Sequence, residues 1–122
     1  MTAPGTPSLA ALRRDDAAWD AFVASSGTPT YLQTVAWARS KASSGWRAVR
    51  VVADGGSGPI GAQVLVRRIG PGPFALGYAA RGPIATRFDA TSLDAFAVEL
   101  RRMARRQRLT HVTADPAVES VA

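Results

Sequence analysis

Gln33, Trp37 and Lys41 stand four positions apart in the first third of the chain. On a helix, or at its entrance, that spacing puts them on one side. An indole between an amide and an ammonium offers a stacking surface, a hydrogen-bonding group and a cation. Together these suit a sugar-nucleotide or a diphosphate. A second set lies in Tyr78-Ala79-Ala80-Arg81-Gly82-Pro83-Ile84. Gly82-Pro83 already redirects the backbone, because Pro fixes its own φ and pushes the preceding residue out of the α region. Arg81 is thus available for something else, and loops at strand ends commonly carry function. An early turn at Ala80 would aim Tyr78 and Arg81 into one cleft near Trp37. The alternative places Trp37 and Tyr78 in the core and leaves Lys41 and Arg81 in solvent. Residue types alone leave both readings open.

Other chemistry is weaker. Arg67-Arg68-Ile69-Gly70-Pro71-Gly72 fits the R-x-x-G-x-G phosphate loop of CoA-dependent acetyltransferases. That loop needs backbone N–H groups at a helix N-terminus. Pro71 removes one donor and a strand-like segment follows, so the sequence predicts an ordinary turn. Arg101, Arg102, Arg105, Arg106 and Arg108 crowd one segment without interleaved aromatics, which reads as a solvated helix face. The one histidine, His111, has no acid near it in sequence and reads as structural. With no cysteine there is no disulfide, no thiolate metal site and no Cys nucleophile.

Elements must position these groups. The 122 residues suffice for one domain, and 47% apolar content supports a core. Asp15 or Asp16 caps a helix with Trp19, Phe22 and Val23 on one face. It stops at Ser25-Ser26-Gly27-Thr28-Pro29, and Thr34 caps a short helix through Lys41. Strands are predicted at about 46–53, 60–69 and 74–80, joined by Gly/Pro turns into an antiparallel meander. Thr91 or Ser92 caps a helix whose Leu93, Phe96, Ala97, Leu100, Met103 and Ala104 form an apolar stripe, with Leu93, Phe96, Leu100 and Met103 expected to cover the sheet. A fourth strand, 109–114, returns parallel by a right-handed crossover. The order is α-α-β-β-β-α-β. Residues 1–14 read as a flexible N-terminus. The fourth strand ends without a closing element, so residues 15–122 read as part of a domain.

The net charge of +6 favours anionic partners. No apolar run is long enough to span a bilayer. The arginines of the first fourteen residues follow the short apolar stretch, the reverse of a secretory signal, so a cytoplasmic protein is expected.

Four motifs in order resemble the Fem (FemA, FemB, FemX) family of peptidoglycan peptidyl-transferases. They are Gln33…Trp37…Lys41 followed by Trp46, the strand hairpin, Tyr78-Ala79-Ala80-Arg81-Gly82-Pro83-Ile84, and Asp115-Pro116-Ala117-Val118. The match runs over about residues 15–120. The resemblance implies an α/β (α+β) fold, a GNAT-like mixed sheet flanked by helices, incomplete here. It implies the N-terminal part of a first GNAT-like domain, with the family's second domain absent. It also implies transfer of an amino acid from aminoacyl-tRNA to the stem peptide of a UDP-linked or lipid-linked muropeptide, without CoA or other cofactor, and peripheral contact with the inner membrane face. A basic side chain, Lys41 or Arg39, would meet the diphosphate, beside Gln33 and Trp37. Tyr78 and Arg81 would line the cleft. The resemblance assigns no catalytic residue in this stretch, and the chain alone is expected to be inactive. The competing readings are a CoA-dependent N-acyltransferase of the same fold and a basic RNA-binding module without catalysis.

Overall fold

The computed structural model describes residues 8–26, 30–85 and 87–114. Helix α1 (Leu9–Arg14) starts at Ser8, whose side chain accepts from Ala11 N. Asp15 ends α1 and caps α2 (Asp16–Ser25), accepting from Ala17 N and Ala18 N. A 3-10 turn (Tyr31–Gln33) leads through Thr34 into α3 (Val35–Ala42). Strands β1 (Arg47–Asp54), β2 (Pro59–Arg68), β3 (Ala75–Ala79) and β4 (Ile84–Ala85) follow, then α4 (Ala90–Gln107) and β5 (Leu109–Ala114).

The sheet runs β1-β2-β3-β5, with β4 on β2 beyond the end of β3. β1, β2 and β3 are antiparallel neighbours, and β5 is parallel to β3. This is the expected meander and crossover. Helices cover both faces. One core packs α4, through Phe96 and Met103, on Val51, Ile60, Ala62, Val64 and Val66. The other packs Leu12, Trp19, Phe22, Val23 and Val35 on Val52 and Ile84. Residues 59–66 of β2 are therefore buried on both sides, so its alternation does not divide core from solvent. Gly61 lies under the Trp19 ring, where a Cβ would come within 3.2 Å of the indole and 2.8 Å of Val52.

Several expectations are corrected. Residues 9–14 are not flexible chain: they form α1, and Leu12 is wholly buried. Asp89, not Thr91 or Ser92, caps α4, because its carboxylate reaches Ser92 N at 2.8 Å. Leu93 is 43% exposed and lies outside the core; the helix turns Ser92 inward in that first turn instead. Phe74 is exposed and precedes β3. The Asp115-Pro116-Ala117-Val118 motif lies outside the described residues.

Candidate substrate-binding site

The Gln33-Trp37-Lys41 stretch is fixed to α2 before it meets the sheet. Trp19 Nε1 donates to Gln33 O at 2.7 Å, and Val35 N donates to Asp20 Oδ1 at 2.9 Å. Thr34 closes the 3-10 turn by donating its hydroxyl to Tyr31 O, 2.7 Å, and caps α3 by accepting from Trp37 N, 3.3 Å.

Gln33 does not face solvent. On one edge β2 pairs with β3 from Leu65 onward and with β4 at Ile60 and Gly61. Between them the strand has no strand partner on that edge, and the Gln33 amide takes the place of one. Its Oε1 accepts from Gln63 N at 2.7 Å. Its Nε2 donates to Gln63 O at 3.2 Å and to Ala80 O at 2.8 Å. Gln63 Nε2 in turn donates to Thr34 O at 2.8 Å. Gln33 is fully buried, both its N–H donors are used, and its side chain is closed to any ligand. The four-residue spacing placed it with Trp37; the helix actually begins after it, at the Thr34 cap, so it turns inward.

Trp37 and Lys41 do share a side of α3. The Lys41 ammonium sits 4.7 Å from the Trp37 ring centroid, and Tyr31 meets the same ring edge-on at 5.9 Å. Trp37 Nε1 is buried and has no acceptor among the described residues. A buried donor without a partner is costly, of order 1–3 kcal/mol, and calls for an explanation.

The Tyr78 side chain and the backbone of the turn that follows it approach the base of the same helix. Tyr78 stands opposite Leu65, two residues from Gln63, so it projects from the sheet face that the α3 entrance covers. It is 37% exposed, not buried with Leu76 against α4. The turn begins early, as expected: Gly82 N donates to Ala79 O, and Arg81 has a left-handed φ of 57°. An arginine there costs about 1–2 kcal/mol relative to the ordinary region. The Gly82–Pro83 bond is cis. Gly82 packs directly on the brace, since a Cβ would sit 3.1 Å from Gln33 Nε2 and 3.1 Å from Ala62 Cβ. Gln33 thus joins the Tyr78–Arg81 turn to the base of the Trp37–Lys41 helix.

Arg39 points elsewhere. It lines a cleft of about 430 Å³ on another side of α3, with Arg13, Arg14, Asp16, Val35, Ala42, Trp46, Ala48 and Arg50. Asp16 holds both Arg50 and, at 3.3 Å, Arg39. The hydrogen bond from Arg50, then the charges of Arg50 and Arg39, hold its carboxyl below the ordinary value of 3.8. Arg39 and Lys41 are therefore not alternatives for one phosphate. Arg13, Arg14 and Arg50 carry no sequence signal of a shared site, being brought together only by the fold.

The remaining motifs are settled by their surroundings. Arg67–Gly72 ends β2 and opens a hairpin loop closed by Ile69 N to Phe74 O at 2.9 Å, and a strand follows rather than a helix N-terminus. The arginines of α4 are exposed, and Arg102 pairs with Glu99 at 2.8 Å. His111 is exposed on β5 beside Thr110. Among the described residues no cluster of three His, Asp or Glu side chains could hold a metal, and no helix is long and apolar enough to cross a membrane.

Residues 15–121 match the model of the FemAB family. The chain belongs to that family. It is 32% identical over 102 residues to the lipid II:glycine glycyltransferase of Staphylococcus haemolyticus, covering 82% of this chain and 24% of the relative. The same identity holds with the enzyme of that name from Staphylococcus aureus strain MRSA252, again over 82% of this chain and 24% of that one. A solved structure of FemX superimposes with a TM-score of 0.76 at 28% identity, over 85% of this chain and 26% of that one. This FemAB chain therefore spans about a quarter of the length of the relatives it matches. Its open mixed sheet flanked by helices is the fold expected from the sequence.

Proposed function

We propose that these residues form the first part of an aminoacyltransferase that adds an amino acid from aminoacyl-tRNA to the stem peptide of a peptidoglycan precursor. Membership of the FemAB family over residues 15–121, with lipid II:glycine glycyltransferases among the relatives, carries this reading. On it, residues 15–122 are the N-terminal part of a first GNAT-like domain, and a second domain supplies contacts to the aminoacyl end. The work is done at the cytoplasmic membrane face, where a lipid-linked precursor is presented, and uses no CoA.

The precursor's diphosphate meets the Trp37–Lys41 side of α3. Lys41 supplies a cation held over the indole, and Trp37 Nε1 is an N–H with no acceptor of its own. A phosphate oxygen would pair with the ammonium; the indole N–H is closed to solvent and would meet it only if Trp37 turned outward. Tyr78 and Arg81 receive the sugar-peptide portion, the phenol as donor or acceptor and the guanidinium as a fork for a carboxylate. The geometry leaves Gln33 as the brace of this cleft and turns Arg39 away from it. Transfer from an ester carbonyl to an amine leans on holding the two in line more than on a protein nucleophile.

The test is a transfer assay on the full-length protein with charged tRNA and precursor, and with acetyl-CoA plus a peptide amine in parallel. Transfer from tRNA to the stem peptide supports the reading. Transfer only from acetyl-CoA would replace it with a CoA-dependent acyltransferase.

A further inference from the structure

The arginine cleft is used by nothing above. It lies between α1, α3 and the outer strand β1, and four arginines, Arg13, Arg14, Arg39 and Arg50, line it against one carboxylate, Asp16. Val35, Ala38, Ala42, Ala48 and Trp46 also line it, with Gln63, whose buried Oε1 has no partner among the described residues. Arg47 also borders it, but its guanidinium is bonded to Gln107 of α4.

The four cations are not equivalent. Arg50 is built in: its side chain is 10% exposed, paired with Asp16 and stacked 5.7 Å from the Trp19 ring centroid. Arg13 donates to Val52 O on β1 at 3.4 Å. Arg39 touches Asp16 yet stays 77% exposed. Arg14 is exposed and has no ion pair or side-chain hydrogen bond among the described residues. With one carboxylate against five guanidinium groups, Arg47 included because Gln107 is neutral, the cleft keeps four positive charges in excess. Low-dielectric walls under charges of one sign focus the field and concentrate counter-ions. Guanidinium groups match phosphate oxygens as two-point donors, where a lysine is a point charge.

We propose that this cleft is a second oxyanion site that binds a phosphate ester, separate from the Lys41 side of α3. The proposal goes beyond the transferase reading and does not depend on it. The phosphate comes either from a soluble phosphate ester or from the headgroup of an anionic lipid lying against the β1 edge. Arg50 and Asp16 form the fixed base, and Arg14 and Arg39 close on the ligand.

The 122-residue chain is titrated calorimetrically with inorganic pyrophosphate and with glycerol phosphate. It is also co-sedimented with vesicles of phosphatidylcholine alone and of phosphatidylcholine with phosphatidylglycerol. The paired variant Arg14→Ala/Arg39→Ala removes the two exposed cleft cations. Arg101→Ala/Arg105→Ala removes the same charge from α4. Circular dichroism checks that both stay folded. The expected result is a phosphate affinity weakened at least tenfold by the cleft pair, less than twofold by the α4 pair, and less than twofold by Lys41→Ala on the other side of α3. Binding of the soluble anions identifies a soluble ester. Binding only to phosphatidylglycerol vesicles, with the same variant pattern, identifies a lipid headgroup. No binding to any of these probes, or equal weakening by both variant pairs, would overturn the proposal.

Discussion

Two regions only a few residues apart in sequence treat polar groups in opposite ways. At the Gln33 corner the Gln33 groups all pair inside the protein: Gln33 binds Gln63 N, Gln63 O and Ala80 O, and its own carbonyl takes the Trp19 indole N–H, while the buried Gln63 Oε1 beside it has no partner among the described residues. One turn further on, Trp37 holds a buried N–H with no acceptor among the described residues, under the Lys41 ammonium. The first region completes a sheet edge that β3 and β4 leave unpaired. The second leaves a buried indole N–H unpaired and a lysine whose ammonium meets an aromatic face, with no carboxylate partner among the described residues. On the proposed reading the motif is half architecture and half site: the Gln33 amide is fully paired inside the protein, whereas the Trp37 N–H is not.

The largest effect expected from this contrast is in stability. Gln33→Leu keeps roughly the volume but strands Gln63 N, Gln63 O and Ala80 O inside the protein. At about 1–3 kcal/mol per buried unsatisfied group, partly relieved by relaxation, the loss should be about 3–5 kcal/mol by urea denaturation. A loss below about 1 kcal/mol would mean that the corner opens to water and the contrast fails. Gly82→Ala tests the same corner from the other side. Its new methyl meets Gln33 and Ala62 at 3.1 Å, so overpacking should cost about 1–3 kcal/mol.

The opposite pattern is expected at the strand end. In the full-length protein, Tyr78→Phe should leave the melting temperature nearly unchanged, and both Tyr78→Phe and Arg81→Ala should raise KM for the muropeptide several-fold, because binding common to ground and transition states is lost. Normal kinetics with a lowered melting temperature would make the pair structural.

Most of this architecture could be read from the residues. The three-strand meander follows from Gly/Pro punctuation at 54–59 and 70–73, and the early turn from Arg81-Gly82-Pro83. The Trp37–Lys41 pairing follows from helical spacing once Thr34 is taken as the cap. Three features were not legible. Gln33 keeps the same four-residue interval but precedes that cap, so its direction is set by the sheet gap it fills. Leu93 fits the apolar stripe of α4, yet the face turned inward runs through Ser92, Phe96 and Met103 and leaves Leu93 43% exposed at its margin. The arginine cleft draws on α1, α3 and β1, and nothing local marks Arg13, Arg14 and Arg50 as neighbours of Arg39.

The smallest effect concerns the ion pairs beneath that cleft. Asp16 has a folded-state pKa lowered by Arg50 and Arg39, so its contribution is present above the unfolded value and lost as pH falls through the folded one, below about 3.8. Half of the Asp16 side chain is exposed, and solvent screening keeps the contribution within about 1 kcal/mol. Asp16→Asn should therefore flatten the acid limb of the stability–pH curve slightly. An unchanged acid limb would show that the pairs contribute nothing measurable.

The most direct test is the affinity of the full-length protein for the lipid-linked or UDP-linked muropeptide, measured by titration for wild type, Lys41→Ala and Arg39→Ala. A charge-assisted contact of about 1.5–3 kcal/mol predicts a ten- to hundredfold loss for Lys41→Ala with an unchanged melting temperature. Arg39→Ala, on the other side of α3, should bind within twofold of wild type. Unchanged affinity for Lys41→Ala would contradict the account, whichever way Arg39→Ala behaves.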